Sequence, residues 1–375
     1  MKLIYIVNAR IPTEKAHGIQ ITKMCEAFAN QGLEVELVVP WRLNKIKKNT
    51  FQYYGLSKNF KIKKLPALDI PFFNPSFIFR LKTLSFLIST FIYLFFQKRD
   101  SIIYSRGEIV LGLTPFMKKR KVIWETHIKP QNVNLYKKVL KKVKGLVVVT
   151  KYYKKELIEQ FDLSSERVLC LPDGVDLEKF DIDISKEEAR KDLILPQDKK
   201  IVLSTSSFLN WKGLDILFDV VSKFRGTSFV FVGSGEKEDV ERIKRKASNL
   251  SDIFLTGHKP RKEIPLWLKS ADVLVLTGTS KSEVSKHYTS PMKLFEYMAS
   301  GRPIVASKIE SFLDILNEEN SVLVEADNPS AMFDGIGRVL GDQGLAKRIS
   351  EKAFRDVQNY TWQKRAERVI NFIKK

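Results

Sequence analysis

Cysteine is scarce in this sequence of 375 residues, and its scarcity excludes two classes of protein. The two cysteines, Cys25 and Cys170, lie in apolar surroundings and show no metal-ligand spacing. The sequence therefore predicts neither a disulfide-stapled secreted domain nor a cysteine-bound metal, and it suits a reducing cytoplasm. Met1 and Lys2 run directly into an apolar strand pattern, so we expect no secretory signal.

Long uncharged apolar runs are also missing. The most apolar segment, residues 77–96, is interrupted by Arg80 and Lys82, which leaves only 83–96 uncharged. A membrane-spanning helix needs about 18–20 such residues, so this segment predicts a helix packed on a sheet. A helix lying on a membrane surface is the alternative.

Acidic residues are few in the first part of the chain. Residues 1–150 hold 27 basic and 8 acidic residues, a net charge of +19, whereas residues 151–375 hold 37 and 35, a net charge of +2. This asymmetry predicts an anionic partner for the first part. No nucleic-acid-binding motif is present, so we expect no nucleic acid. We expect an anionic membrane surface instead, with the protein cytoplasmic and peripheral on the inner face of the membrane.

Apolar strand patterns alternate with helical patterns twice along the chain, which predicts an α/β protein with two domains. The first series opens with a strand at 3–8 and a helix from Gln20, and the second opens at 201–207. The polar stretch 177–199 predicts the boundary. We therefore expect domains at 1–180 and 181–357, with a final helix at 358–375 that crosses back onto the first domain.

Residues 286–306, KHYTSPMKLFEYMASGRPIVA, predict a loop, a helix and a strand. Pro291 suits the first helical turn, and Gly301 ends the helix. The start of such a helix suits a phosphate, and Lys293 adds a cation there. Glu296, one turn further on, suits a ribose. The alternative is an ordinary surface Lys–Glu pair.

The run KLFEYMASGRPIVA resembles the signature helix of the family-four retaining glycosyltransferases, which have the GT-B fold with two Rossmann-like domains facing a central cleft. The resemblance implies metal-independent, retaining transfer of a sugar from a nucleoside-diphosphate sugar to a glycan or lipid-linked acceptor. Such transfer would serve cell-surface polysaccharide or glycolipid biosynthesis, with the nucleotide sugar as a co-substrate and no cofactor. Two positions depart from the pattern, because Tyr288 replaces a common glutamate and Ser207 replaces the usual arginine.

The resemblance also implies roles for individual residues. Three are expected to be catalytic: His127, Lys212 and Glu296. Nine are expected to bind the donor: His17, Gly18, Gly233, Gly235, His258, Ser290, Pro291, Met292 and Lys293. These residues can also be interpreted as purely structural, because a lone histidine is often structural and a single glycine often marks a plain turn.

Two other functions remain open from the sequence. A sugar-nucleotide epimerase shares the fold, although the signature helix argues against it. A non-catalytic scaffold or nucleic-acid binder is the other possibility, suggested by the charge of the first part.

Overall fold

The computed structural model describes residues 1–69, 75–127, 129–130 and 132–375, and for 75–78 it describes the backbone only. The first two residues of the apolar run 77–96 therefore lie outside the described side chains. The chain forms two compact units, which we call the first unit (Met1–Pro172 with Trp362–Lys375) and the second unit (Asp173–Thr361). Each unit contains one parallel sheet covered by helices, as the alternating sequence pattern predicts.

The first unit contains a seven-stranded parallel sheet with the order β3-β2-β1-β4-β5-β6-β7. Strand β1 is central, and its register sets Leu3 against Val35 on one side and against Ile102 on the other. Its apolar residues are continuous because both faces of the strand are buried. The strands are β1 Lys2–Val7, β2 Glu34–Pro40, β3 Lys61–Leu65, β4 Ile102–Arg106, β5 Val122–Glu125, β6 Gly145–Val148 and β7 Val168–Cys170.

The second unit contains a six-stranded parallel sheet with the order β10-β9-β8-β11-β12-β13. The order reverses next to the first strand of the series, β8, as in the first unit. Ligands of open α/β sheets bind beyond the carboxyl ends of the strands near such a reversal. The strands are β8 Lys200–Thr205, β9 Thr227–Val232, β10 Ile253–Gly257, β11 Val273–Leu276, β12 Ile304–Lys308 and β13 Val322–Glu325.

Helices cover both sheets, and several 3-10 turns lie among them. Asp342 separates the last two helices of the second unit, because its side chain caps a new helix by accepting from the amide of Leu345 (2.9 Å). The helices are α1 Ala16–Asn30, α2 Thr50–Tyr54, α3 Pro75–Phe95, α4 Val133–Leu140, α5 Lys151–Phe161, α6 Leu177–Phe180, α7 Lys186–Asp192, α8 Phe218–Val221, α9 Lys237–Ala247, α10 Ile264–Lys269, α11 Glu283–His287, α12 Met292–Ala299, α13 Glu310–Leu313, α14 Pro329–Gly341, α15 Gln343–Val357 and α16 Trp362–Lys374.

The unit boundaries differ from the predicted domains 1–180 and 181–357. Residues 173–180 belong to the second unit because Phe180 is buried in its core and the amide of Val175 donates to the Tyr360 carbonyl (2.9 Å). The final helix joins the first unit at Trp362, four residues after the predicted start. The stretch 177–199 is polar, yet it holds α6 and α7 and packs as part of the second unit.

Candidate active site

The start of α12 brings a lysine to the carboxyl end of β8. Pro291 is the N-cap residue, one position before the predicted first turn, and its carbonyl accepts from the amide of Leu294 (3.0 Å). Lys293 Nζ donates to the carbonyl of Thr205, the last residue of β8 (3.0 Å). The amides of Met292 and Lys293 precede the first bond inside the helix. Amides in that position present donors and a partial positive charge to an anion.

Lys212 also lies beyond β8, in a segment of 3-10 turns rather than at the start of an α-helix. It ends the 3-10 turn Asn210–Lys212, and a second 3-10 turn separates it from the short helix α8. Its Nζ lies 3.9 Å from the centroid of the Trp211 ring, and its carbonyl accepts from Thr277 Oγ1 (2.9 Å). The Trp211 ring therefore stabilises this ammonium group through a cation–π contact.

Both lysines have a lowered pKa, and the charge of Lys212 contributes to the shift of Lys293. Burial lowers the pKa of Lys212 to about 8. Burial, and then repulsion by Lys212, lower the pKa of Lys293 to about 7, against an opposing attraction by Glu296. Two partly buried lysines of lowered pKa, one of them lowered further by the charge of the other, mark a place where an anion would be stabilised.

Glu296 is 6% exposed and forms an ion pair that the sequence analysis did not foresee. Arg261 Nη1 lies 2.8 Å from Glu296 Oε1, and the guanidinium lies 5.6 Å from the Phe180 ring. Arg261 Nη2 is buried and has no hydrogen-bond partner among the described residues. Lys262, its neighbour, is exposed and Ser207 is exposed too. Arg261 therefore places a guanidinium group directly beside Glu296.

The remaining second-unit candidates lie at the same sheet edge. Gly233 and Gly235 follow β9, and His258 follows β10 and is exposed. Gly233 has φ +150°, and a Cβ there would lie 1.8 Å from the Ser206 carbonyl oxygen, so only glycine fits. Ser290 Oγ accepts from the amide of Asp173 (2.9 Å).

In the first unit, His127 lies just beyond the carboxyl end of β5. Its Nε2 is 2.7 Å from Oε1 of Glu125, the last residue of that strand. His17, in the first turn of α1, has its pKa lowered to about 4 by burial and by repulsion from Arg106, Lys15 and His127. His17 is therefore neutral near pH 7, and the structure brings the two predicted histidines into one electrostatic environment.

The sequence analysis missed the side chains around His127. Its one available signal was a carboxylate that ends the apolar strand VIWE, two residues before the histidine and therefore on the same face of the extended chain. The missed residues are Gln20, Tyr104, Arg106, Glu125 and Arg365.

Gly18 lies inside α1, which begins at Ala16 rather than near Gln20. A Cβ at Gly18 would lie 2.2 Å from Tyr54 Oη and 2.6 Å from Thr13 Cγ2. Tyr54 Oη accepts from the amide of Thr13 (2.7 Å) and holds the preceding loop in place. The close approach that this glycine permits within the first unit is thus to Tyr54, and its approach to a donor stays a prediction.

Comparison with known proteins agrees with this geometry. Residues 185–356 match the family model described as Glycosyl transferases group 1. An uncharacterised glycosyltransferase of Methanocaldococcus jannaschii is 26% identical over 238 residues, which are 61% of this chain and 59% of that relative. A D-inositol 3-phosphate glycosyltransferase of Xylanimonas cellulosilytica is 25% identical over 240 residues, 60% of this chain and 56% of that relative. The match thus spans less than two thirds of the length of these relatives.

Solved structures match over the whole chain. The sucrose-phosphate synthase of Thermosynechococcus elongatus gives a TM-score of 0.80 at 16% identity and covers 100% of this chain and 98% of its own. HepE of Anabaena, solved in complex with UDP, gives a TM-score of 0.79 at 14% identity and covers 100% of both chains. These likenesses establish the fold.

The chain has the GT-B fold, with two Rossmann-like units, as the signature helix led us to expect. Residues 185–356, which lie in its second unit, match the model of the Glycosyl transferases group 1 family. The resemblance drawn from residues 293–306 is therefore confirmed.

Proposed function

We propose that this protein is a metal-independent, retaining glycosyltransferase that takes a sugar from a nucleoside-diphosphate donor. The observation that carries the proposal is the pair Lys212 and Lys293, two cations of lowered pKa at one sheet edge beside the start of α12. The proposed acceptor is a glycan or a lipid-linked molecule of cell-surface biosynthesis. The nucleotide sugar acts as a co-substrate, and no separate cofactor is needed.

The second unit supplies the chemistry that the leaving group requires. As the sugar departs, negative charge grows on the diphosphate, and fixed cations and amides stabilise that charge without reorganising. Lys212, Lys293 and the first amides of α12 fill this role, and Arg261 Nη2 adds a further donor. These groups do the work that a divalent metal performs elsewhere. Glu296 binds the ribose hydroxyls as a hydrogen-bond acceptor.

The donor class is supported by relatives as well as by charge. Structures of Anabaena HepE contain UDP and UDP-glucose. We propose a nucleoside-diphosphate sugar for this chain on the same grounds. His127 acts on the transferred sugar, and the leaving phosphate serves as the base for front-face attack, the course that the family resemblance implies.

Nucleoside diphosphate binding is predicted to take up protons and to weaken as the pH rises. The empty site holds Lys293 at a pKa of about 7 and Lys212 at about 8, and the bound anion raises both. The last pKa of such a phosphate is about 6, so between pH 7 and 9 a diphosphate is largely ionised and the lysines account for most of the change in protonation. Affinity should fall by up to about tenfold per pH unit for each lysine that titrates.

Calorimetry of UDP, GDP and ADP binding in buffers of different ionisation enthalpy measures this uptake. Lys293→Met should remove most of the pH slope, whereas Lys262→Met, which changes an exposed lysine of the same unit, should leave it intact. Failure of every nucleoside diphosphate to bind would contradict the proposed donor. A slope that Lys293→Met leaves unchanged would contradict the role given to Lys293.

We further propose that the first unit binds an anionic membrane surface through α3. The apolar run 77–96 does form a helix over Pro75–Phe95, and its described side chains divide into two faces. Phe86, Thr90 and Leu94 are fully buried. The opposite face exposes five large apolar side chains by 45–72%, which we call the α3 stripe: Leu84, Ile88, Phe91, Ile92 and Phe95. A soluble monomer rarely exposes such a contiguous surface without a use for it.

Basic residues flank the α3 stripe at its carboxyl end. Arg120 Nη2 donates to the carbonyls of Leu94 (2.9 Å) and Gln97 (2.5 Å), which ties the cluster Lys118-Lys119-Arg120-Lys121 to the end of α3. The Arg120 guanidinium also lies 5.3 Å from the Phe116 ring, which itself packs on Phe91. Apolar and cationic groups side by side are the combination that an anionic leaflet attracts.

Lysines also lie along the side of α3. Strand β3, with exposed Lys61, Lys63 and Lys64, contacts this helix. Ser89 Oγ donates to the Pro66 carbonyl (2.7 Å), which joins the segment after β3 to α3. None of the helices in the described part of the chain combines the length and apolarity needed to cross a bilayer. Attachment to one leaflet is therefore what we propose.

Sedimentation with vesicles tests the membrane proposal. Each basic residue near an anionic surface contributes about 1 kcal/mol, so binding should require anionic lipid and fall steeply with salt. Changing Phe91 and Phe95 together to glutamate should release the protein. Ile194→Glu, which alters a side chain of the second unit that is 90% exposed, should not. Equal sedimentation with neutral and anionic vesicles, or none at low salt, would eliminate the proposal.

A further inference from the structure

Glu125, at the end of β5 in the first unit, is completely buried and contacts four other side chains. Its Oε1 accepts from Gln20 Nε2 (2.7 Å) and Arg365 Nη2 (3.0 Å), and it lies 2.7 Å from His127 Nε2. Its Oε2 accepts from the Tyr104 hydroxyl. These donors come from α1, β4, α16 and the residues after β5, so four parts of the first unit meet at one carboxylate.

Electrostatics keep this buried carboxylate ionised. Burial would raise the pKa of Glu125, but Arg365, the hydrogen bond from His127 and the charge of Arg106 hold it well below its usual range. Arg365 is itself 3% exposed, and its Nε donates to the Pro172 carbonyl (2.8 Å), so it cannot swing away without breaking both contacts. A buried cation that is fixed in this way offsets the cost of burying the carboxylate.

The remaining donors are fixed from outside as well. Arg106 Nη1 donates to Gln20 Oε1 (2.6 Å), so the amide nitrogen of Gln20 has to face Glu125. Burial and Glu125 raise the pKa of Tyr104, which therefore keeps its proton and can only donate to the carboxylate. The groups that donate to Glu125 are thus fixed in one arrangement, and His127 Nε2 is one of these groups.

An ionised carboxylate can only accept hydrogen bonds, so His127 Nε2 has to carry a hydrogen. That hydrogen fixes the tautomer of the neutral ring and its rotation about the side chain. In other enzymes, a carboxylate that accepts from one ring nitrogen of a histidine sets its tautomer in this manner.

We propose that Glu125 is the positioning residue for His127, selecting the Nε2–H form of its ring and fixing its orientation in the first unit. The effect on sugar transfer rests on the proposed role of His127 as the residue that acts on the transferred sugar. The effect on the ring itself does not depend on that role.

Two variants of Glu125 and one matched control test the proposal. Glu125→Gln keeps the shape and one acceptor, and Glu125→Leu removes every acceptor. Glu26→Gln changes another buried carboxylate of the first unit, one whose partner is Lys23 (2.7 Å). It therefore controls for the general effect of disturbing a buried ion pair.

The first readout is nitrogen-15 NMR of the histidine rings in the full chain, which has only four histidines and can be assigned with His127→Ala. Wild type and Glu26→Gln should show His127 as the Nε2–H tautomer. Glu125→Leu should shift His127 to a mixture of tautomers, and Glu125→Gln should fall between. An unchanged His127 spectrum in folded Glu125→Leu would overturn the proposal. If Glu125→Leu fails to fold, Glu125→Met, which has a similar length and no oxygen acceptor, gives the same test.

The second readout is turnover with a sugar donor. Loss of one charge-assisted hydrogen bond corresponds to a fall in kcat of about 10- to 100-fold, with nucleoside diphosphate affinity retained. The double variant Glu125→Gln with His127→Ala should have a kcat no lower than that of His127→Ala alone. Without the His127 ring, Glu125 has nothing left to position. If the fall in kcat of the double variant equals the product of the falls in the two single variants, the proposal is overturned. A wild-type protein without any transfer would refute the proposed function, while the NMR result would still decide the role of Glu125.

Discussion

Lys212→Ala is expected to lower kcat by about 10²- to 10³-fold and to raise the Michaelis constant for the donor as well. The Lys212 ammonium group lies over the Trp211 ring at the end of a 3-10 turn, and its charge acts on Lys293. Charge on the diphosphate is greater in the transition state than in the intact donor, so the lost stabilisation is larger there. Steady-state kinetics with the active donor measures both constants.

A matched lysine controls for this substitution. Lys223 Nζ lies 5.9 Å from the Phe333 ring, so it is also a lysine over an aromatic ring of the second unit, but it is exposed. Lys223→Ala should leave both constants within about twofold of wild type, as surface substitutions usually do. A Lys212→Ala enzyme that changes only in its Michaelis constant would refute the transition-state role.

Glu296→Ala is expected to cost about a hundredfold or more in nucleoside diphosphate affinity. A carboxylate that accepts from both ribose hydroxyls contributes about 2–4 kcal/mol. The side chain is 6% exposed and oriented by α12, so an incoming ribose finds the acceptor already placed. Calorimetry gives the affinity directly, and Glu283→Ala, at a side chain that is 71% exposed, serves as the control.

The ion pair with Arg261 complicates this substitution in a measurable way. Without Glu296, Arg261 gains freedom to bind the diphosphate and would mask part of the loss. The double variant Glu296→Ala with Arg261→Ala should therefore bind more weakly than Glu296→Ala alone. Unchanged affinity in a folded Glu296→Ala protein would remove Glu296 from the donor site.

The fold could be predicted from the sequence because its signals are local. Buried parallel strands are continuous apolar runs, and LIYIV, VIWE and IVLST became β1, β5 and β8. The segment 286–306 carried its own helix start and stop. The boundary was predicted at residue 180, whereas the chain divides after Pro172, because polarity marks exposure along a helix as well as it marks a linker, and α7 is a polar helix with buried Ala189 and Arg190.

The surroundings of the candidate site could not be predicted because they are assembled from distant parts of the chain. Gln20 and Arg365 lie 105 and 240 positions from Glu125, and no spacing rule joins them. Tyr54, which fills the space beside Gly18, lies 41 positions after Thr13 in the sequence. A glycine that looks like a ligand contact in sequence can therefore be explained by a side chain that only the fold brings near.

The most direct test of the proposed function is proton NMR of the 375-residue protein with a panel of UDP-, GDP- and ADP-sugars, supplied with anionic vesicles that carry lipid phosphates. At least one donor should release its nucleoside diphosphate, and the transferred sugar should keep the anomeric configuration it had in the donor. A variant with both Lys212→Ala and His127→Ala should release none. Consumption of no donor by a folded wild-type protein would contradict the enzyme, and a product of inverted configuration would contradict the retaining mechanism.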